Sequence, residues 1–69
     1  MYTYTIKSFF GVRETTIKAE DHVKALAEFA ISRKAIITDV DTNPDETWSF
    51  VMRKKGSRNE LIYVIKKGD

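Results

Sequence analysis

Glu20-Asp21-His22-Val23-Lys24-Ala25-Leu26-Ala27-Glu28-Phe29-Ala30-Ile31-Ser32-Arg33-Lys34 is the stretch on which the fold turns, because it alone has helical rather than alternating periodicity. At about 100° per residue, Val23, Leu26, Phe29 and Ala30 share one stripe, with Ala25 and Ala27 at its margins. Lys24, Glu28, Ile31 and Ser32 point away from it. Asp21 is a natural N-cap, since its carboxylate accepts from free amides of the first turn. The pattern predicts a helix from about His22 to Lys34, with Lys24 and Glu28 placed to pair at i, i+4. Arg33 and Lys34 then fall in the last turn, where cations suit the helix dipole.

Outward from that helix, every other apolar stretch alternates or runs short. Tyr2 to Lys7 alternates, with Tyr2, Tyr4 and Ile6 on one side. Phe9-Phe10-Gly11-Val12 breaks the alternation, and Gly11 is expected to supply a positive φ for a hairpin turn. Arg13 to Ala19 pairs back, with Thr15, Ile17 and Ala19 inward. After the helix come Ala35–Val40, a loop Asp41–Glu46 in which Pro44 bars a regular ladder, and Thr47–Arg53 with Trp48, Phe50 and Met52 on one side. A polar turn, Lys54–Asn59, leads to a last strand, Glu60–Lys66. Its Leu61–Ile65 run is apolar on both faces, as a strand inside a sheet requires. The expected fold is α+β, in the order β-β-α-β-β-β, with one helix on one face of a five-stranded antiparallel sheet. Residues 1–69 form a single domain. The opposite face would carry Thr3, Thr5, Phe9, Val51, Ile62 and Val64 with no cover from this chain.

A chain of 69 residues buries only about 60% of its unfolded surface, so small cores often need staples. The chain has no Cys and one His, which excludes disulfides and a Cys/His zinc site. With 42% hydrophobic and 32% charged residues, packing or oligomerisation must stabilise the fold. No apolar run approaches the ~20 residues that span a bilayer. Lack of Cys makes a cytoplasmic setting the expectation, without membrane association.

The net charge of +2 is unevenly laid out. Residues 1–34 carry six bases and four acids, 35–52 four acids and no base, and 53–69 six bases and two acids. In the acidic segment, Asp39-Val40-Asp41-Thr42-Asn43-Pro44-Asp45 opens with calcium-loop spacing. It then fails, because Pro44 stands where the loop needs Gly and Phe50 where it needs Glu. Two readings remain: a solvated loop, or an acidic patch of Asp39, Asp41, Asp45 and Glu46 that docks a basic surface. Catalysis has less support. His22 sits at a helix start, and no serine lies beside a base and an orienting acid. The expectation is a non-enzyme with no metal and no cofactor. Arg53, Lys54, Lys55 and Arg58 form the strongest basic cluster, and Lys7 and Lys18 are placed on the uncovered sheet face. The cluster reads either as a solvated hairpin turn or as a nucleic-acid contact. The aromatic motif of RNA-recognition domains is missing.

The stretch Tyr4-x-Ile6-Lys7, Ile17-x-Ala19-x-Asp21, Ala25-Leu26-x-x-Phe29-Ala30-x-x-x-Lys34, followed by a β meander, resembles very small phage-encoded regulators. It is most similar in layout to anti-CRISPR proteins with one helix on a five-stranded sheet. Such inhibitors share no motif, so the resemblance assigns no residue. It implies a stoichiometric viral inhibitor, acting in the host cytoplasm, that binds a bacterial nucleic-acid-handling complex. The leading expectation is thus a protein-binding module, with nucleic-acid binding by residues 53–58 as the alternative. A homodimer through the open sheet face is compatible with both.

Overall fold

The computed structural model describes residues 1–68. Its elements are β1 (Tyr2–Ser8), β2 (Glu14–Ala19), α1 (His22–Ser32), β3 (Ala35–Thr42), β4 (Thr47–Lys54) and β5 (Glu60–Lys67). The strands form one antiparallel sheet in the order β2-β1-β5-β4-β3. The fold is α+β, with the expected order β-β-α-β-β-β. β5, apolar on both faces, lies at the centre. β2 and β3 run the same way on opposite edges, so α1 must cross the whole sheet between them. At the seam of β1 and β5, Ile6 pairs with Ile65 and both are fully buried. Beside the seam's far end, the Gly68 amide donates to the Thr3 carbonyl at 2.6 Å.

The core lies between the helix and one sheet face. Phe29 meets Phe50 and Tyr63 edge-on, at 6.1 and 5.1 Å between ring centroids. The inward residues of β1, β2 and β4 are those the alternation predicts. The helix stripe is rotated from its expected position. Ala25, Leu26, Phe29 and Ala30 are buried, whereas Val23 is 61% exposed. Placing Ala25 against the sheet lets the helix approach closely, which a central Val23 would prevent. Lys24 pairs at 2.8 Å with Glu20, not with Glu28. Glu20 lies N-terminal to Lys24, the orientation that helical pairs favour.

An 11-residue helix is only about 16 Å long, whereas an eight-residue strand spans about 26 Å. The sheet ends therefore protrude. This is why Leu61 and Tyr2 share the helix side of the sheet yet stay 43% and 45% exposed.

Three local features depart from expectation. The helix ends at Ser32, two residues before Lys34. Arg33 is the C-cap and Lys34 adopts a left-handed φ of 53°, so neither lies in the last turn. Gly11 has no positive φ, which among the glycines belongs to Gly56 alone. A Cβ on Gly11 would meet the Ser8 Cβ at 3.0 Å, so close approach explains the glycine. Finally, β3 continues to Thr42 through a bulge between Ile37 and Asp39. The extra residue, Thr38, donates from its hydroxyl to the Val51 carbonyl at 3.4 Å. One inserted residue inverts the alternation. Ile37 opposite Met52 faces the helix side, and after the bulge Val40 opposite Phe50 does so. Asp39 and Asp41 are thereby turned to the open face.

A left-handed backbone costs a residue with a Cβ about 1 kcal/mol or more, and Gly is preferred there. Lys34→Gly is therefore expected to stabilise the fold by about 0.5–1 kcal/mol. In a domain this small that raises the thermal midpoint by several degrees, as calorimetry or circular dichroism will show. An unchanged or lowered midpoint would contradict this account of the helix end.

Candidate functional site

The antiparallel topology sorts the connections to two ends. The β1–β2 turn, the α1–β3 junction and the β4–β5 turn lie at one end. The β2–α1 junction and the β3–β4 turn lie at the other. At the first end, the Lys55 amide donates to the Lys34 carbonyl at 3.2 Å, Ala35 pairs with Lys54, and Ile36 pairs with Arg53. The β4–β5 turn is closed by the Ser57 amide donating to the Lys54 carbonyl at 3.0 Å, with Gly56 at a φ of 82°. The Asn59 amide donates to the Ser57 Oγ, and Arg58 lies exposed between them. The Phe9 amide donates to the Ile62 carbonyl, which brings the β1–β2 turn alongside.

The basic cluster 53–58 is thus joined by Arg13 from one turn and by Arg33 and Lys34 from the helix end. All seven bases are exposed. Glu14 and Glu60 are the acids at this end, and neither is ion-paired. Among the described residues the one ion pair is Lys24 with Glu20, at the far end of the helix. Beside the bases, Phe9 and Phe10 pack edge to face at 4.9 Å and stay 59% and 86% exposed. Neither Phe10 nor the arginines at 13 and 33 stand out in the sequence as part of this site. Only the pairing of strands distant in sequence brings them to residues 53–58.

The opposite end is electrostatically balanced. Asp45, Glu46, Lys66 and Lys67 line one hollow there, together with Trp48 and Gly68. The β3–β4 turn is held internally. The Glu46 amide donates to the Asn43 carbonyl and the Asn43 amide to the Thr47 carbonyl, with Glu46 at a left-handed φ of 65°. Asn43 Nδ2 donates to Thr47 Oγ1 and to Ser49 Oγ. An amide nitrogen used in this way is no cation ligand. No group of three or more acidic or histidine side chains suited to a metal occurs among the described residues. Asp45 Oδ1 accepts from the Thr47 hydroxyl at 2.6 Å and from its amide. The hydroxyl bond is the main cause that holds the Asp45 carboxyl below its ordinary value, with the amide bond and Lys66 helping and desolvation opposing. His22 is not free either: its ring stacks on Trp48 at 4.1 Å.

Thus the sequence-identified acids split. Asp45 and Glu46 close a turn beside two lysines, while Asp39 and Asp41 lie on the open face of edge strand β3. That face also carries Lys7, Lys18 and Lys66 on its β2-β1-β5 half. Val51 pairs with Ile62, and Val64 lies between Lys7 and Ser49, at its centre. No helix among the described residues is long and apolar enough to cross a membrane. Compared with protein-family models, curated proteins and solved structures, the chain matches none.

Because the Asp45 carboxyl is lowered, its ionised form contributes stability fully above pH 3.8, its ordinary value. That contribution is lost as the pH falls through the lower, folded-state value. Asp45→Asn is expected to melt below the natural protein at neutral pH, and the gap should close under acid. Melting curves between neutral pH and about pH 3 and below will check it. A gap that stays constant with pH would refute the role of the carboxylate.

Proposed function

We propose that this protein is a non-enzymatic binding module that holds a nucleic acid at its basic end. The observation that carries the reading is the convergence of Arg13, Arg33, Lys34, Arg53, Lys54, Lys55 and Arg58 from three separate segments, none of them ion-paired. Seven bases beside only two acids, Glu14 and Glu60, leave a positive potential that a phosphate backbone relieves by displacing its counterions. Phe9 and Phe10, exposed beside them, offer rings on which unpaired bases stack. Together these features favour a single strand over a duplex.

Mobility shift with single-stranded oligonucleotides at low salt tests this. Engagement of four to six phosphates gives a log K against log salt slope of about −3 to −4. Replacing Lys54, Lys55 and Arg58 together by Ala is expected to flatten that slope by about 2. Phe9→Ala with Phe10→Ala is expected to cost single strands more than duplex. No shift at low salt with either form would overturn the reading.

A second reading, a protein partner on the open sheet face, has its own support. Val51, Ile62 and Val64 form an apolar centre between a basic half and the acidic edge of β3, a layout suited to a protein surface. The likeness to phage-encoded inhibitors bears on this reading, and its partner would be a nucleic-acid-handling complex. Ile62→Asp with Val64→Asp should abolish recovery of a stoichiometric partner from a bacterial lysate while leaving the fold intact. Undiminished recovery would remove it.

A further inference from the structure

The basic end contains a cavity distinct from its flat charged surface. It is lined by Ile6 and Ser8 of β1, Arg13 and Thr15 of the β2 limb, Phe29 and Arg33 of the helix end, and Tyr63 of β5, with a volume of about 170 Å³. We propose that this cavity is a socket for one phosphate monoester group.

Its chemistry points to that class. Arg13 and Arg33 both line it, and neither has a carboxylate partner. Guanidinium forks bind phosphate oxygens in pairs, and Arg is the residue used where planar, two-pronged recognition matters. Arg33 is held in place, its guanidinium lying 5.0 Å from the centroid of the Phe29 ring. Phe29 is itself buried against Phe50 and Tyr63. The Tyr63 ring is stacked on Phe50 at 5.4 Å. Ser8, Thr15 and Tyr63 also line the cavity, and a hydroxyl side chain is able to donate to an oxyanion. Glu28, the acid on this side of the helix, lines a neighbouring hollow with Thr15, Ile17, Ile31 and Ser32, not this cavity.

Size narrows the choice. A volume of 170 Å³ is about five waters' worth of space, and a phosphate group has about that number of heavy atoms. Pockets for whole drug-sized ligands begin at about 300 Å³, so a nucleoside does not fit inside as well. Ile6 and Phe29, both buried, line its inner side, so a ligand enters from the outer side. An internal phosphodiester needs an exit on both sides, whereas a terminal phosphate enters from one. The group admitted is therefore the end of something: the 5′-phosphate of a strand, or a small phosphate ester. This extends the nucleic-acid reading of the basic end but does not depend on it.

The test compares two single-stranded oligonucleotides of one sequence, with and without a 5′-phosphate, and ribose 5-phosphate as the small ester. The expected result is an approximately tenfold tighter binding of the 5′-phosphorylated strand, with much weaker binding of ribose 5-phosphate. Arg13→Gln and Arg33→Gln each abolish that preference, whereas Lys55→Ala weakens both strands by one factor. Melting curves of each variant confirm folding, and Arg13→Gln, outside the Phe29 contact, guards against a change in the core. Equal binding of the two strands, with ribose 5-phosphate silent, overturns the socket and leaves the nucleic-acid reading standing. Binding of ribose 5-phosphate lost in Arg13→Gln, with neither strand bound, supports the socket for a small ester and overturns the nucleic-acid reading.

Discussion

The seam between β1 and β5 is the constraint on which this fold depends. Two parts of the sheet form from near neighbours, the β1–β2 hairpin and the β3–β4–β5 meander. They are joined by pairing residues almost a chain length apart, Ile6 with Ile65 and Ser8 with Tyr63. Closing so long a loop is entropically costly, and side-chain burial must offset it. The helix does this from above: Leu26 and Phe29 are buried beside the seam's isoleucines, while its two ends are tied to β2 and β3. The phosphate-sized cavity opens on the same seam, with Ser8 from one side and Tyr63 from the other. It exists only when both parts have met.

The sorting of charge follows from the same topology. In an antiparallel sheet, alternate connections fall at alternate ends. The two strand turns richest in Lys, Arg and Phe fall at one end, and the long crossover helix terminates there too. The acidic β3–β4 turn falls at the other end, where the lysines that conclude β5 meet it. A segmental charge pattern along the chain thus becomes a basic end and a balanced end. The acidic segment, prominent when read along the chain, divides: Asp39 and Asp41 stay on the open face, while the turn that follows is occupied with its own structure. Asp45 and Asn43 satisfy Thr47 and Ser49 rather than a ligand.

Much of the architecture was legible in the residues. Period-two alternation in Tyr2–Ile6 and Trp48–Met52 selects the buried face directly, because side chains on a strand have only two directions. The both-sided apolar run Leu61–Ile65 marks the central strand. What escaped has physical reasons. A stripe turned by a few tens of degrees differs little in pattern, so Val23 at one margin and Ala25 at the other exchange roles once close packing rewards the smaller side chain. The bulge at Thr38 has no local mark of its own, and a single inserted residue inverts Asp39 and Asp41. The site was the least legible part. Residues 53–58 are visible as a run, but Arg13, Arg33 and the two phenylalanines join them only through long-range pairing and the helix end.

The amide of Gly68 rests on the carbonyl of Thr3, at the end of the molecule away from the basic residues. Both ends of the described chain therefore emerge side by side, on the balanced side. A fusion partner, an affinity tag or a surface linker attached at either terminus would project away from the arginines. The domain can be anchored by its tail without obstructing its basic end. Joining the two tails by a short linker, and reopening the chain in an exposed turn, would leave every strand pairing in place.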